Sequence, residues 1–149
     1  MKNSEYHRKL AADVMEKRKL KAVISGGKDL YGVWIEDVKG IFSDGETLEQ
    51  TKHNLQEAIQ LHIQGEDEAD IPEALRGEYE IEYTFDISGF LKYYSTFISF
   101  AAMKEITGIA QKQLWSYVNG YRSPKKETSE KIINGVNAFC KELSQVQFR

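Results

Sequence analysis

Residues 79–85, Tyr-Glu-Ile-Glu-Tyr-Thr-Phe, place Tyr79, Ile81, Tyr83 and Phe85 at every second position, with Glu80, Glu82 and Thr84 between them. Strict alternation of this kind predicts a half-buried strand. After Phe85 the apolar period changes from two to 3.6 and stays there. The 149-residue chain makes this switch without a Gly/Pro/Ser-rich linker. It therefore reads as α+β, a small sheet unit fused near Asp86 to an all-α unit.

Upstream, Leu20, Ala22 and Ile24 alternate with Lys19, Lys21 and Val23, which predicts a first strand, and Gly26-Gly27-Lys28-Asp29 predicts a turn. Tyr31, Val33 and Ile35 share the next face, so this segment is expected to pair with the first as a hairpin. Trp34, on the opposite face, is expected to pack under the helix rather than to form a ligand platform. Ile41-Phe42-Ser43 suggests a short third strand, ended by Ser43-Asp44-Gly45. Thr47-Leu48-Glu49-Gln50 is a capping box: the threonine hydroxyl can accept from the Gln50 amide while the Gln50 side chain reaches back. Leu48, Leu55, Ala58, Ile59, His62 and Ile63 then form one helical stripe ending near Gly65. Residues 66–78 are an acidic connection around Pro72. Residues 19–85 thus read β-β-β-α-β, preceded by an extension, residues 1–18, in which Leu10 and Val14 share a possible helical face.

Residues 86–149 read as helices. Asp86 can cap one to about Tyr94, and Ser99 can cap Phe100–Thr107, which Gly108 ends. A third, roughly 110–119, stops at Asn119-Gly120, a good left-handed exit. The last, about 126–145, carries Ile132, Ile133, Val136, Phe139, Cys140 and Leu143 as a stripe, so Cys140 is expected to be a small buried hydrophobe rather than a nucleophile. Tyr93, Tyr94, Phe97 and Phe100 should cluster at the junction as core or oligomer contacts. A glycine in the tight turn at 108 suits two short helices crossing steeply, with Ile109 plugging the core. Leu114, Tyr117 and Val118 would face inward. Gln111, Lys112, Trp115, Ser116 and Asn119 would point away, where amides can bond adenine edges and lysine can reach guanine or phosphate. Tyr121, Arg122, Lys125 and Lys126 follow, placed to grip backbone phosphates. The plain alternative is a helical bundle with a Gln/Lys surface.

Charge divides the same way. Residues 1–94 carry twelve Lys/Arg against nineteen Asp/Glu, a formal −7, whereas residues 95–149 carry eight against four, a formal +4. Such a split points to two partners of opposite sign, unless both are merely solvated faces.

The 108–124 segment resembles the helix-turn-helix of the phage-repressor-like (XRE, Cro/CI) regulators, whose recognition helix ends in Gly-x-x-x-Pro, here Gly120-Tyr121-Arg122-Ser123-Pro124. One position departs: Lys104 stands where a small alanine is usual in the first helix. Residues 20–94 resemble the HicB antitoxin domain through Tyr31, Gly32, Val33, Asp37, Gly40, Ser43, Gly45, Thr47, Glu57, Ala58 and Ile59, with Lys39 and Ile41 in place of a common proline and cysteine. This resemblance implies a degenerate ribonuclease-H-like sheet without nuclease residues. It implies an antitoxin of a type II HicAB system that occludes a basic, mRNA-cleaving HicA-like toxin, assembles as a homodimer or higher oligomer, and represses its own operon at operator DNA. The alternative is a stand-alone repressor whose N-terminal unit dimerises or binds a small effector.

Other chemistries find little support. Asp29, Glu36, Asp37 and Asp44 fall at strand ends and turns, and Glu80 and Glu82 alternate with an apolar face, so no catalytic residue, metal or cofactor is expected. His7, His53 and His62 are too scattered for one metal. A polar N-terminus, the lack of a long apolar run and a single cysteine suggest a cytoplasmic protein without membrane contact.

Overall fold

The alternating segments pair into one four-stranded mixed sheet. Its strands are β1 (Arg18–Ser25), β2 (Tyr31–Ile35), β3 (Phe42–Gly45) and β4 (Tyr79–Phe85), in the order β3-β2-β1-β4. The computed structural model describes residues 4, 5, 7, 8 and 17–149, so Leu10 and Val14 of the expected N-terminal face lie outside the described residues. β1–β2 and β2–β3 are antiparallel, while β4 runs parallel to β1, with Leu20 opposite Ile81 and Ile24 opposite Phe85. A parallel neighbour needs a long crossover. Helix α1 (Leu48–Ile63) and two short 3-10 turns, Glu68–Asp70 and Glu73–Leu75, supply it. The third strand is longer at its end than the sequence suggests: Ser43, Asp44 and Gly45 do not terminate it but pair with Val33, Gly32 and Tyr31.

The capping box forms with one change. Thr47 Oγ1 accepts from the Gln50 amide at 3.1 Å, but the Gln50 carboxamide accepts from the Glu46 amide at 3.2 Å, one residue earlier than expected. α1 buries Leu55 and Ile59 over Leu20, Ile24, Val33 and Ile35, with Leu48, Ala58 and Ile63 at the margin. His62 is not part of this stripe and is exposed. Thr51 is fully buried, its hydroxyl donating to the Thr47 carbonyl at 2.6 Å. A hydroxyl satisfied by the preceding turn can be buried without the cost of an unpaired polar group.

Trp34 corrects a second expectation. Tyr31, Val33 and Ile35 are the buried set, so period two sends Trp34 to the sheet face away from α1, where it is 40% exposed. It does not pack under the helix.

Four helices follow β4: α2 (Ile87–Tyr94), α3 (Phe100–Thr107), α4 (Gln111–Val118) and α5 (Lys126–Ser144). Asp86 caps α2 by accepting from the Gly89 amide at 2.7 Å, and Ser99 caps α3 by accepting from the Ala102 amide at 3.1 Å. Gly108 ends α3 at φ 72°, a left-handed turn in which a β-carbon would be strained; Gly120, at φ 74°, follows α4. Leu91, Met103, Ile109, Leu114, Tyr117, Val118 and Ile132 form a second apolar cluster. Lys104 is exposed, so its stem stays out of this cluster.

Between the two clusters runs an aromatic seam. Phe85 stacks on Tyr93 with centroids 5.9 Å apart, and Phe90 meets Tyr94 at 4.8 Å. Phe100 packs into the helical cluster, while Phe97 sits at the seam's outer end, 5.4 Å from Tyr93 and largely exposed. Cys140 is exposed, contrary to the buried role expected for it, because α5 runs on past the body that its first turns pack against.

Candidate functional site

Helix α4 buries Leu114, Tyr117 and Val118 and turns its other side outward. Gln111, Lys112 and Trp115 are exposed there, and Ser116 and Asn119 are half-buried. Tyr121, Arg122, Lys125 and Lys126 are exposed on the segment that leaves the helix. Trp115 and Tyr121 lie against each other, ring centroids 5.5 Å apart, bracing helix and exit segment together. Lys112, Ser116 and Arg122 line one shallow depression of about 430 Å³ with Ala110 and Gln113. The structure thus brings Lys112, Ser116 and Arg122 together and sets Trp115 against Tyr121, while Gln111, Asn119, Lys125 and Lys126 are placed only by their positions on the helix and exit segment.

Their polar groups are not equally free. The Asn119 amide nitrogen donates to the Trp115 carbonyl at 2.9 Å, and the Ser116 hydroxyl donates to the Lys112 carbonyl at 3.1 Å. Gln113, which the sequence pattern does not single out, donates to the Tyr117 hydroxyl at 2.7 Å and stiffens the helix from within. Ala110 caps α4 without a side-chain bond. The first amides of α4 are thus left without a side-chain acceptor from the cap, beside Lys112, an arrangement that attracts anions.

A second surface is the open face of the sheet. Cross-strand pairing aligns Phe42 with Trp34 and Trp34 with Val23. Phe42 is 73% exposed. Asp44 on β3, Glu36 just past β2, and Glu80 and Glu82 on β4 are exposed, as are Lys19 and Lys21 on β1; Lys19 approaches Glu82 at 3.9 Å. The open face thus presents an exposed aromatic pair edged by carboxylates. The period-two pattern held the signal for it, since every residue opposite Tyr31, Val33 and Ile35 must face outward.

A third feature is a groove of about 890 Å³ between α1 and β4, walled by Ile59, Gln60, Leu61, Tyr79, Ile81 and Tyr83. Tyr83 projects its hydroxyl into a shielded position where it has no hydrogen-bond partner among the described residues, and burial raises its pKa. Tyr31 is raised as well, by burial first and by nearby Tyr93 second.

Asp29, Glu36, Asp37, Asp44, Glu80 and Glu82 are all exposed, and His53 pairs with Glu57 at 3.3 Å along α1. Among the described residues no three His, Cys, Asp or Glu side chains gather in a way that could hold a metal ion, and no helix is long and apolar enough to cross a membrane.

No curated protein and no solved structure matches the chain. The family model of the HicB-like antitoxins of bacterial toxin–antitoxin systems matches residues 21–98, which takes in the whole sheet except the first strand's opening residues, together with α1 and α2. That span is more than half of the chain, and the chain belongs to the HicB-like antitoxin family.

Proposed function

We propose that the protein neutralises a HicA-like, mRNA-cleaving toxin by occlusion and represses transcription of its own operon by binding operator DNA as a dimer or larger assembly, without catalysis of its own. The observation that carries this reading is the pairing, in one chain, of an antitoxin-family sheet unit with the exposed Gln111–Lys126 surface. The toxin is the partner that the family implies. A basic partner suits the acidic first 94 residues, since opposite charge speeds encounter and fixes orientation. Trp34 and Phe42 are the anchors we assign to that contact, with Glu36, Asp44, Glu80 and Glu82 as its acidic surround.

α3 and α4, joined by the Gly108 turn, serve as a helix-turn-helix of the XRE type in this reading. Gln111 and Trp115 face base edges. Lys112, Arg122, Lys125 and Lys126, with the N-terminus of α4, whose cap makes no side-chain bond, take phosphates. No step in either role needs a metal or a nucleophile.

The test is a separation of functions in the full-length chain. Trp34→Ala with Phe42→Ala should lose capture of the co-expressed toxin and retain operator binding. Lys112→Ala with Arg122→Ala should do the reverse. If both doubles fold and each keeps both activities, the assignment of the two surfaces is wrong.

A further inference from the structure

Helix α5 carries an apolar series that outruns the body it packs on. Ile132, Val136, Phe139 and Leu143 are spaced 4-3-4, and Val146, two residues past the helix end, follows three residues on. That spacing is the a/d seam of paired helices, flanked on one side by Ile133 and Cys140. The protein's own core uses only the start of it. Ile132 is 1% exposed and Val136 packs partly against the helical cluster. From Phe139 onward the seam is bare, with Leu143 58%, Val146 51% and Phe148 93% exposed. Scattered apolar side chains are ordinary on a surface, but a continuous series on one helix is not.

Beside the covered end lies an apolar depression of about 220 Å³ between α2 and α5, walled by Ile87, Phe90, Ile133 and Val136, among others. It opens next to Ile133, itself 47% exposed.

We infer that this seam is the dimer interface, occupied by α5 of a second copy of this chain running antiparallel about a two-fold axis near Lys141. Phe139 of each copy then meets Leu143 of the other. The projecting end of each helix, with Val146 and Phe148, reaches back to cover Val136, Ile133 and the depression of its partner. A parallel pair would leave Ile133 and that depression open, which favours the antiparallel arrangement. Ile133, Phe139, Leu143, Val146 and Phe148, exposing roughly 100 Å² each and contributed twice, bury about 1,000 Å², the threshold of a specific interface and the size of a weak one. The dimer is therefore expected to dissociate on dilution, and a two-fold operator would hold it together.

Cys140, the single cysteine of the chain, lies on the flank of the seam and reports the geometry. In an antiparallel pair the same flank of both helices falls on one side, so the two thiols approach. In a parallel pair they fall on opposite sides.

The inference deepens the proposed assembly and is tested apart from it, on the full-length protein without toxin or DNA. Sedimentation at tens of micromolar should show a dimer, and Leu143→Asp should sediment as a monomer with an unchanged far-ultraviolet spectrum. Copper(II)-phenanthroline, accepting the two electrons released as two thiols join, should give a disulfide-linked dimer in the wild type and none in Cys140→Ser. A wild-type protein that stays monomeric at that concentration, a Leu143→Asp protein that remains dimeric, or a dimer whose Cys140 does not cross-link would each overturn the seam. Loss of operator or toxin binding with these three results intact would instead count against the proposed function.

Discussion

The Ser88 hydroxyl donates to the backbone carbonyl of Tyr117 at 2.6 Å. One end of this bond is on α2, which grows straight out of the sheet, and the other is on the last turn of α4, the helix assigned to DNA. α2 is held on its sheet side as well: the Asp86 amide donates to the Ile24 carbonyl at 3.0 Å and Lys92 Nζ donates to the Gly27 carbonyl at 2.8 Å. The helix is thus bonded to the sheet's first hairpin on one side and to α4 on the other.

Gly89 is where this joint has no slack. A β-carbon there would press into the Ile24 carbonyl, well inside van der Waals contact, and against the Phe85 ring. Gly89→Ala should therefore destabilise the fold by about 1–3 kcal/mol, the usual cost of overpacking, even though alanine is the better helix former. Urea denaturation followed by circular dichroism checks it. A midpoint equal to or above the wild type's would show that the joint has room.

Tyr83 offers a change of opposite sign. Its shielded hydroxyl lacks a partner among the described residues while its ring packs in the wall of the α1–β4 groove, with Lys52 Nζ 4.8 Å from the ring centroid. Tyr83→Phe removes a desolvated polar atom and keeps the packing, so stability should rise by about 1 kcal/mol. The stabilisation should not fade between pH 6 and 9. Burial raises the phenol's pKa above its ordinary value, so the wild-type group stays protonated in both states across that range. A drop in melting temperature would mean that the hydroxyl has a bonding role.

Much of this architecture is legible because local rules act through few atoms. The alternation of Tyr79 to Phe85 specifies a strand, and Thr47, Asp86 and Ser99 specify three helix starts, each visible as a side-chain oxygen accepting from an amide three residues on. Longer-range facts were hidden. Nothing in Tyr-Glu-Ile-Glu-Tyr-Thr-Phe says that its neighbour is β1 or that the pairing is parallel. Periodicity says that Trp34 opposes Tyr31 but not which face α1 covers, so its expected place under the helix fails. The expected burial of Cys140 fails for the same reason: periodicity marks a face, and what lies against that face belongs to tertiary structure. On α4, the outward set was legible from the helical period, whereas the internal bonds of Ser116 and Asn119 were not.

Those bonds separate two residues that look equivalent in the sequence. Gln111, at the start of α4, has no side-chain hydrogen bond among the described residues, while one N–H of the Asn119 amide is held by the Trp115 carbonyl, which turns the side chain along the helix. Bidentate adenine recognition needs the amide nitrogen and oxygen turned together toward the base edge. Gln111→Ala should thus lose about 1–3 kcal/mol of discrimination between operator and scrambled DNA, and Asn119→Ala much less. Competition binding with both duplexes measures it. Equal losses would show that Asn119 breaks its internal bond on the DNA.

Salt dependence tests the cationic part of the same surface. If Lys112, Arg122, Lys125 and Lys126 each meet one phosphate and two copies bind together, about eight contacts form, and log affinity against log salt should fall with a slope near −7, about 0.9 per contact. Arg122→Ala deletes two of these contacts, one per copy, so its slope should be near −5. The ratio of operator to scrambled affinity should change little, because phosphates carry no sequence. Lys131 provides an internal control. It is a cation of the same helical unit, but its ammonium donates to the Gly108 carbonyl at 3.4 Å and does not line the Arg122 depression. Lys131→Ala should leave the slope where it was. A wild-type slope close to zero, or one that Lys131→Ala shifts as much as Arg122→Ala, would remove the phosphate role from the exit segment of α4.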